Sequence, residues 1–398
     1  MNPLLRGAAA LGIVLWLAAP VRAQELPYGP VSLAGGRVML GTDVSLSAST
    51  QNDESAWFNY TDYEHNTMRL MRLGLTTDIR VSDRVSLLGE VRSENGERVR
   101  PYALYVRVHP WKNRPVDIQA GRIPPSFGAF SRRAYANGNL LIGYPLAYQY
   151  LTSLRSDAVP ATVDELLRMR ARGWRPSYSI GSVAIGTGMP LITAFRWDTG
   201  VQVRIGSGRL MTTAAVTNGT ISDPHSKDNN GGKQISGRVQ WEPVVGFVLG
   251  ASGARGPYLA DSVRDQLPHP ASSMQHAAGV DVEYSRDHWL VRSEGVWNRW
   301  HVPTLGAPLD AKSAFVEGSY KVLPAMFVAA RVDRLTFNRV AGTTQTRTWD
   351  APVTRFEAGL GYYIRRNLLG RVTSQHNSRD GGLIRKRNQL AVQLQFWL

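Results

Sequence analysis

The feature that most constrains this chain is a series of segments in which apolar and polar side chains alternate. In the first segment Val38, Leu40 and Val44 share one phase, while Asp43 and Ser45 share the other. Successive side chains of a strand point to opposite faces, so such a segment predicts a strand with one apolar and one polar face. About ten residues of this kind are enough to cross a bilayer as part of a barrel.

Sixteen segments follow this template, and the joins between them alternate in length. Joins such as 81–84 are short, whereas joins such as 218–234 are long and polar. The segments lie at 36–49, 71–80, 85–94, 100–109, 115–121, 197–205, 209–217, 235–242, 245–254, 276–284, 289–297, 313–322, 326–335, 353–364, 368–376 and 387–398. An even strand number and alternating loop lengths are typical of outer-membrane barrels. We predict an all-β, closed antiparallel transmembrane β-barrel of about 16 strands, with short periplasmic turns and long external loops.

A soluble β-sandwich or propeller would also alternate, because one face of each sheet packs on a core. Two observations favour the membrane barrel. The polar phase carries many Arg, Asp and Glu residues, and no helical segments are available to cover it. Trp289 and Trp297 bracket one apolar run at a separation of about 20 Å in a tilted strand, as interfacial aromatic residues do.

The N-terminus predicts export. Arg6 precedes an apolar run, 7–19, and Val21-Arg22-Ala23 places small residues where a signal peptidase cleaves. The run is shorter than the roughly 20 residues of a membrane-spanning helix. We therefore expect a signal peptide at 1–23, a short lead at 24–35 and the barrel at 36–398, located in the bacterial outer membrane. The chain has no cysteine, which excludes disulfides and cysteine zinc sites.

The C-terminal Gln395-Phe396-Trp397-Leu398, together with the signal peptide and the strand count, resembles bacterial outer-membrane porins. The stretch from Asp117 to Gly128 is similar to the segment that follows a strand in phosphate-selective porins. Porins usually end in Phe, whereas this chain ends in Leu398 with Phe396 two residues earlier. The resemblance implies a passive diffusion channel for small hydrophilic solutes, a homotrimer surrounded by outer-membrane lipid and lipopolysaccharide, and a third external loop folded into the lumen.

That third loop, 123–196, is the longest join, and its sequence favours order. Thr162 and Glu165 form a capping box, which predicts a helix that ends at Gly173. The loop has eight basic and three acidic residues, whereas the polar phase of the strands is nearly balanced. Because charge at the narrowest point sets selectivity, we predict an anion preference. The expected constriction residues are Arg132, Arg133, Arg168, Arg170 and Arg172. The alternative is a lid helix packed outside on the barrel rim, with these arginines bound to lipopolysaccharide phosphates.

The polar phase of the strands supplies the predicted lumen wall. Its members alternate in sign, so their fields largely cancel. The wall residues that we single out are Arg72, Arg80, Arg92, Arg107, Arg204, Arg238, Arg292, Arg331, Arg371, Glu90, Asp281 and Glu294.

Catalytic and cofactor motifs were sought and none was found. The eight histidines have no metal-site spacing, and neither a nucleophile elbow nor a dinucleotide loop is present. We expect no enzyme activity, no cofactor and no metal. Carboxylate oxygens of acidic loop residues could bind calcium, but these residues lack EF-hand spacing, so we expect them to lie on solvated loop surfaces. The residues are Asp53, Glu54, Asp62, Glu64, Asp223 and Asp228. An exported barrel does not meet nucleic acid. The alternative function is a structural or binding barrel, either a surface receptor or a sheath for a periplasmic partner.

Overall fold

The computed structural model describes residues 29–50, 58–60, 65–133, 136–267 and 273–398. The predicted signal peptide, 1–23, and the beginning of the lead lie outside the described residues. The described part of the lead forms a short strand, Val31–Leu33, and a 3-10 turn, Ala34–Gly36. The short strand pairs with the first strand of the barrel.

Sixteen long strands form the barrel, and we number these β1 to β16. They are β1 (Val38–Ser49), β2 (Met71–Arg80), β3 (Val85–Glu94), β4 (Arg100–Val108), β5 (Val116–Ile123), β6 (Asp198–Ser207), β7 (Leu210–Thr217), β8 (Gln234–Val244), β9 (Phe247–Pro257), β10 (Met274–Arg286), β11 (Trp289–Trp300), β12 (Leu309–Leu323), β13 (Met326–Phe337), β14 (Val353–Arg365), β15 (Leu368–Arg379) and β16 (Lys386–Trp397). Each coincides with one of the sixteen predicted segments.

Each strand pairs antiparallel with the next, and β16 returns to β1. In that closing pair Asp43 lies opposite Trp397, and Ser49 lies opposite Ala391. Closure satisfies the backbone donors and acceptors that an open sheet edge would leave unpaired in lipid. The predicted fold class, a closed antiparallel barrel of 16 strands, is confirmed.

The two faces of the barrel differ as the alternation predicts. On β12, Val316 points outward and is 55% exposed, whereas its neighbour Glu317 points inward and is 1% exposed. The outward face is a continuous surface of Val, Leu, Ile and aromatic side chains, which suits contact with lipid tails. The inward face carries buried charged and amide side chains, so the barrel interior is polar but largely filled.

Several strands extend further toward the long loops than predicted. The segment predicted at 313–322 is Leu309–Leu323, and the one at 276–284 is Met274–Arg286. Charged outward residues such as Lys312 end the apolar alternation there, but ladder hydrogen bonds continue because the backbone still needs partners. The join after β13 also contains a hairpin, Arg339–Ala341 with Thr346–Thr348, that alternation did not predict.

The third loop contains three short helical segments of interest. These are a 3-10 turn, Phe130–Arg133, and two helices, α1 (Leu146–Gln149) and α2 (Val163–Arg168). The predicted capping box is present at α2, because the Thr162 hydroxyl accepts from the Glu165 backbone N–H at 3.2 Å. The helix ends earlier than predicted, since Ala171 has a left-handed φ of 63° and donates its N–H to Asp350. None of the described helices is long and apolar enough to cross a membrane.

Candidate solute pathway

The described residues between 126 and 149 of the third loop, which joins β5 to β6, lie inside the barrel. Their backbone and side chains contact inward-facing residues on strands from β8 to β15. Phe130 packs on Tyr148 and on Phe315 of β12, with ring centroids 5.0 Å and 6.3 Å away. Leu146 and Tyr148 are fully buried, so the loop forms an apolar core within a polar barrel.

Inward carboxylates hold the backbone of this loop. Glu294 on β11 accepts from the N–H groups of Ala129 and Phe130 at 3.0 and 3.2 Å, and from the Tyr148 hydroxyl at 2.6 Å. Glu357 on β14 accepts from the Gly143 N–H at 2.9 Å. Asp333 on β13 accepts from the Leu146 N–H. Charge-assisted hydrogen bonds of this kind are roughly twice as strong as neutral ones, so they fix the loop in the lumen.

Inward arginines hold the carbonyl groups of the same loop. Arg331 donates to the Gly143 oxygen at 2.6 Å, and Arg355 donates to the Tyr144 oxygen at 2.8 Å. Arg371 and Arg292 donate to the carbonyl oxygens of Ala136 and Gly138, the two ends of a second 3-10 turn, Ala136–Gly138. The buried charges of the β11–β15 wall are therefore engaged with the loop or with one another, and they add little field to any open passage.

In its periplasmic half, the opposite wall, on β2 to β6, makes no hydrogen bond or ion pair to those residues of the third loop that the structure describes. Arg107 pairs with Asp117 at 3.3 Å, and Arg204 lies directly opposite Asp117 in the strand register. The Arg204 Nε has no hydrogen-bond partner among the residues that the structure describes. Arg80 is exposed at the periplasmic end of β2. On this side of the barrel, Arg80, Arg107 and Arg204 therefore face the lumen without contacts to the described part of the third loop.

A cavity of about 630 Å³ opens at the external end of this wall, and we call it the vestibule. Five arginines and two glutamates line it, together with His65, His225 and a floor that includes Tyr102 and Trp197. The arginines are Arg92, Arg98, Arg100, Arg122 and Arg196.

The acidic residues of the vestibule are already paired. Glu94 binds Arg72 of β2 at 3.1 Å, and Glu97 binds Arg100 at 3.2 Å. In contrast, Arg98 and Arg196 are exposed and form no hydrogen bond or ion pair with any described residue. The vestibule therefore presents a net positive charge to solution, although Asp223 lies near enough to Arg196 to interact with it electrostatically. Its low-dielectric walls focus that field.

The five third-loop arginines predicted at the constriction lie in two places. Arg133 reaches the wall and pairs with Glu283 of β10; the side chain of neighbouring Arg132 lies outside the described part of the chain. Arg168 and Arg172 are exposed beside the external loops. Arg170 donates to the Thr348 carbonyl oxygen at 3.0 Å and pairs with Asp380 at 3.2 Å. Arg133 on the one hand and Arg168, Arg170 and Arg172 on the other therefore do not form a single constriction.

The predicted wall residues all lie on the inward phase of their strands, and most are paired. Arg331 binds Glu317 at 3.0 Å, and Arg238 binds Asp281 through both guanidinium nitrogens. The remaining contacts are Arg72 with Glu94, Arg92 with Glu90, Arg107 with Asp117, Arg292 with Glu283, Arg371 with Gln393 and Gln395, and Glu294 with the third loop.

The sequence did not predict which wall residues form hydrogen bonds with the third loop, nor which residues form the vestibule. Asp333, Glu357 and Arg355 belong to the polar phase, but nothing local distinguishes them from other inward charges. The vestibule residues come from several strands and from the second, third and fourth external loops, so no spacing in the sequence could have grouped them.

The acidic loop residues that the structure describes form no metal site. Asp223 is bound by the Ser156 hydroxyl at 2.5 Å and by His225 at 3.2 Å, and Asp228 pairs with Lys233. Among described residues no group of three or more His, Asp or Glu could hold an ion. Asp53, Glu54, Asp62 and Glu64 lie outside the described residues.

No protein-family model and no curated protein matches this chain. Solved structures match over nearly its whole length. The in-vitro folded outer membrane protein OmpT of Vibrio cholerae has a TM-score of 0.55 and 11% identity, covering 92% of this chain and 99% of that one. Salmonella typhi OmpF in complex with daunomycin has a TM-score of 0.57 and 12% identity, covering 91% and 97%. The outer membrane channel DcaP of Acinetobacter baumannii has a TM-score of 0.54 and 10% identity, covering 93% and 100%.

At such low identity these similarities concern the fold. The fold is that of bacterial outer-membrane porins, and the chain is a porin-like β-barrel. Together with the apolar outer surface, this confirms the predicted resemblance and the predicted location in the bacterial outer membrane.

Proposed function

We propose that this barrel is a passive diffusion channel for small hydrophilic solutes, that it prefers anions, and that it acts without a catalytic step. The observation that carries the proposal is the vestibule. Its acidic residues are paired, while Arg98 and Arg196 face the cavity without a partner among the described residues. A guanidinium stays protonated throughout the physiological pH range, so this charge is permanent.

The third-loop arginines remain part of the proposal with two distinct roles. Arg132 and Arg133 belong to the segment nearest the wall of β10 and would act deep in the lumen. Arg168, Arg170 and Arg172 lie beside the external loops and would attract anions at the mouth. Both roles rest on the same principle, because a fixed positive charge raises the local concentration of anions.

Planar-bilayer recording tests this function directly. Purified protein should give stepwise conductance, and the reversal potential in a salt gradient should show a greater permeability for chloride than for potassium. A barrel that serves only as a surface receptor or as a sheath around a periplasmic partner would give no steps. The loop-filled lumen favours that second candidate, so absence of conductance would replace the channel proposal with it. The proposed homotrimer is tested separately by the mass of the detergent-solubilised protein.

The preference for anions should increase as the pH falls. The hydrogen bond from His225 to Asp223 raises the pKa of His225, while burial and nearby Arg196 oppose the shift. Asp198 is the other facing acid, and it accepts the His225 backbone N–H. Protonation of His225 adds one positive charge to the vestibule below a pKa raised from about 6.5. The anion-to-cation permeability ratio should therefore rise on acidification through that pKa, and His225→Gln should flatten the rise. An unchanged pH profile in His225→Gln would contradict this assignment.

A further inference from the structure

A row of basic residues lies on the outward face of the barrel, at the long-loop ends of five neighbouring strands. We call it the outer belt. It consists of Arg255 on β9, His276 on β10, Arg299 on β11, Lys312 on β12 and Arg334 on β13. Arg255 lies directly opposite His276, and His276 lies directly opposite Arg299. These residues share the phase of the lipid-facing side chains, so they face the membrane and not the lumen.

The height of the outer belt matches the edge of the hydrocarbon layer. On four of the five strands the apolar run begins at an aromatic residue near the periplasmic turn and ends at the belt, for example Tyr284 to His276 on β10 and Tyr320 to Lys312 on β12. On β13 the run begins at Met326. Eight residue steps of about 3.3 Å, tilted by about 40°, rise roughly 20 Å, close to the apolar band of an outer-membrane barrel. Lipid headgroups lie at this level.

The belt is short of negative partners within the protein. Asp310 is its one acidic neighbour on this face of the described strands, and both of its oxygens bind Arg299, at 2.7 and 2.9 Å. Arg334 bonds to the Thr354 hydroxyl at 3.0 Å. The side chains of Arg255 and Lys312 are exposed and form no hydrogen bond or ion pair with any described residue. An anionic group from outside the chain could therefore pair with these two cations.

We propose that the outer belt binds the phosphate groups of lipid A in the outer leaflet. The external leaflet is indicated because the belt lies at the long-loop ends, whereas the aromatic residues mark the turn ends. Adjacent strands are about 4.8 Å apart, so neighbouring cations can contact one phosphate while the rest of the row reaches a second. Acyl chains below would cover the apolar side chains of β9 to β13. This inference depends on the barrel and its orientation, and not on the channel activity.

Binding of purified lipid A to the detergent-solubilised full chain tests the proposal. The variant Arg255→Gln/Lys312→Gln removes the two cations without protein partners and should weaken binding of bisphosphorylated lipid A about tenfold or more, as expected for two cations near a membrane surface. Lipid A stripped of both phosphates should bind wild type and variant equally weakly. The matched control is Arg286→Gln/Arg365→Gln, which removes two exposed cations at the periplasmic strand ends.

Circular dichroism and heat-dependent gel migration establish that each variant is folded. The control variant should bind lipid A like wild type. Inorganic phosphate should compete only at far higher concentration, which distinguishes a lipid site from a free-phosphate site. The proposal is overturned if Arg255→Gln/Lys312→Gln binds bisphosphorylated lipid A as tightly as wild type, or if the control loses as much.

Discussion

Replacing Glu294 with glutamine should increase the single-channel conductance and the current noise of the barrel. The Glu294 carboxylate accepts three hydrogen bonds from the third loop, from Ala129, Phe130 and Tyr148. A glutamine has one acceptor oxygen and places an N–H₂ group against these donors. Losing charge-assisted bonds costs about 1.5–3 kcal/mol each, enough to raise the ratio of loosened to seated loop about tenfold or more. A loosened loop leaves more of the lumen open to ions.

The strand register supplies a matched control. Asp281 lies directly opposite Glu294, is similarly buried and faces the same lumen, but it binds Arg238 and makes no hydrogen bond to the described residues of the third loop. Asp281→Asn should destabilise the wall without releasing the loop, so its conductance should stay near that of wild type. Adding Asp333→Asn and Glu357→Gln to Glu294→Gln should raise conductance further. Equal conductance in Glu294→Gln and Asp281→Asn would show that the carboxylate does not govern the passage.

The barrel could be predicted from sequence because lipid imposes a rule on every strand. Each strand must present an apolar residue at every second position, as Val316 and Glu317 show, and this rule is local. The turns are local as well, since Ser82 and Asp83 follow directly on β2. Strand ends beyond the apolar band obey no such rule. Leu309–Leu323 was therefore predicted too short.

The interior could not be predicted, because its contacts join residues far apart in the chain. Tyr148 and Glu294 are 146 positions apart, and no local pattern pairs them. The helix α2 combines a start that local sequence determines with an end that a distant residue determines. Its start at Thr162 follows from a capping box within four residues, whereas its early end depends on Asp350, which is distant in sequence. Charge counts had the same weakness, because they could not show that Glu94 and Glu97 are paired while Arg98 is not.

Reversing the charge of the unpaired vestibule arginines should have the largest effect on ion selectivity. Arg98→Glu/Arg196→Glu replaces two fixed positive charges by two negative ones at a cavity whose acids are already neutralised. Each reversal changes the local charge by two, and interactions of a few kT in such a cavity alter ion concentrations about tenfold. The anion-to-cation permeability ratio, measured from reversal potentials in a salt gradient, should fall severalfold and should recover partly at high ionic strength, which screens the charges.

Variants of third-loop arginines outside the vestibule separate the contribution of the vestibule, which includes Arg196 at the end of that loop, from the contribution of the rest of the loop. Arg168→Glu/Arg172→Glu reverses two exposed charges beside the external loops and should shift the ratio less, because open solvent screens them. Arg133→Glu places a negative charge beside Glu283 on the wall of β10. Any change in the permeability ratio of this variant would therefore arise deep in the lumen. Arg84→Glu/Arg114→Glu, at the periplasmic turns, is the equal-charge control. A permeability ratio that is the same in all four variants and in wild type would mean that neither the vestibule nor the third loop selects ions.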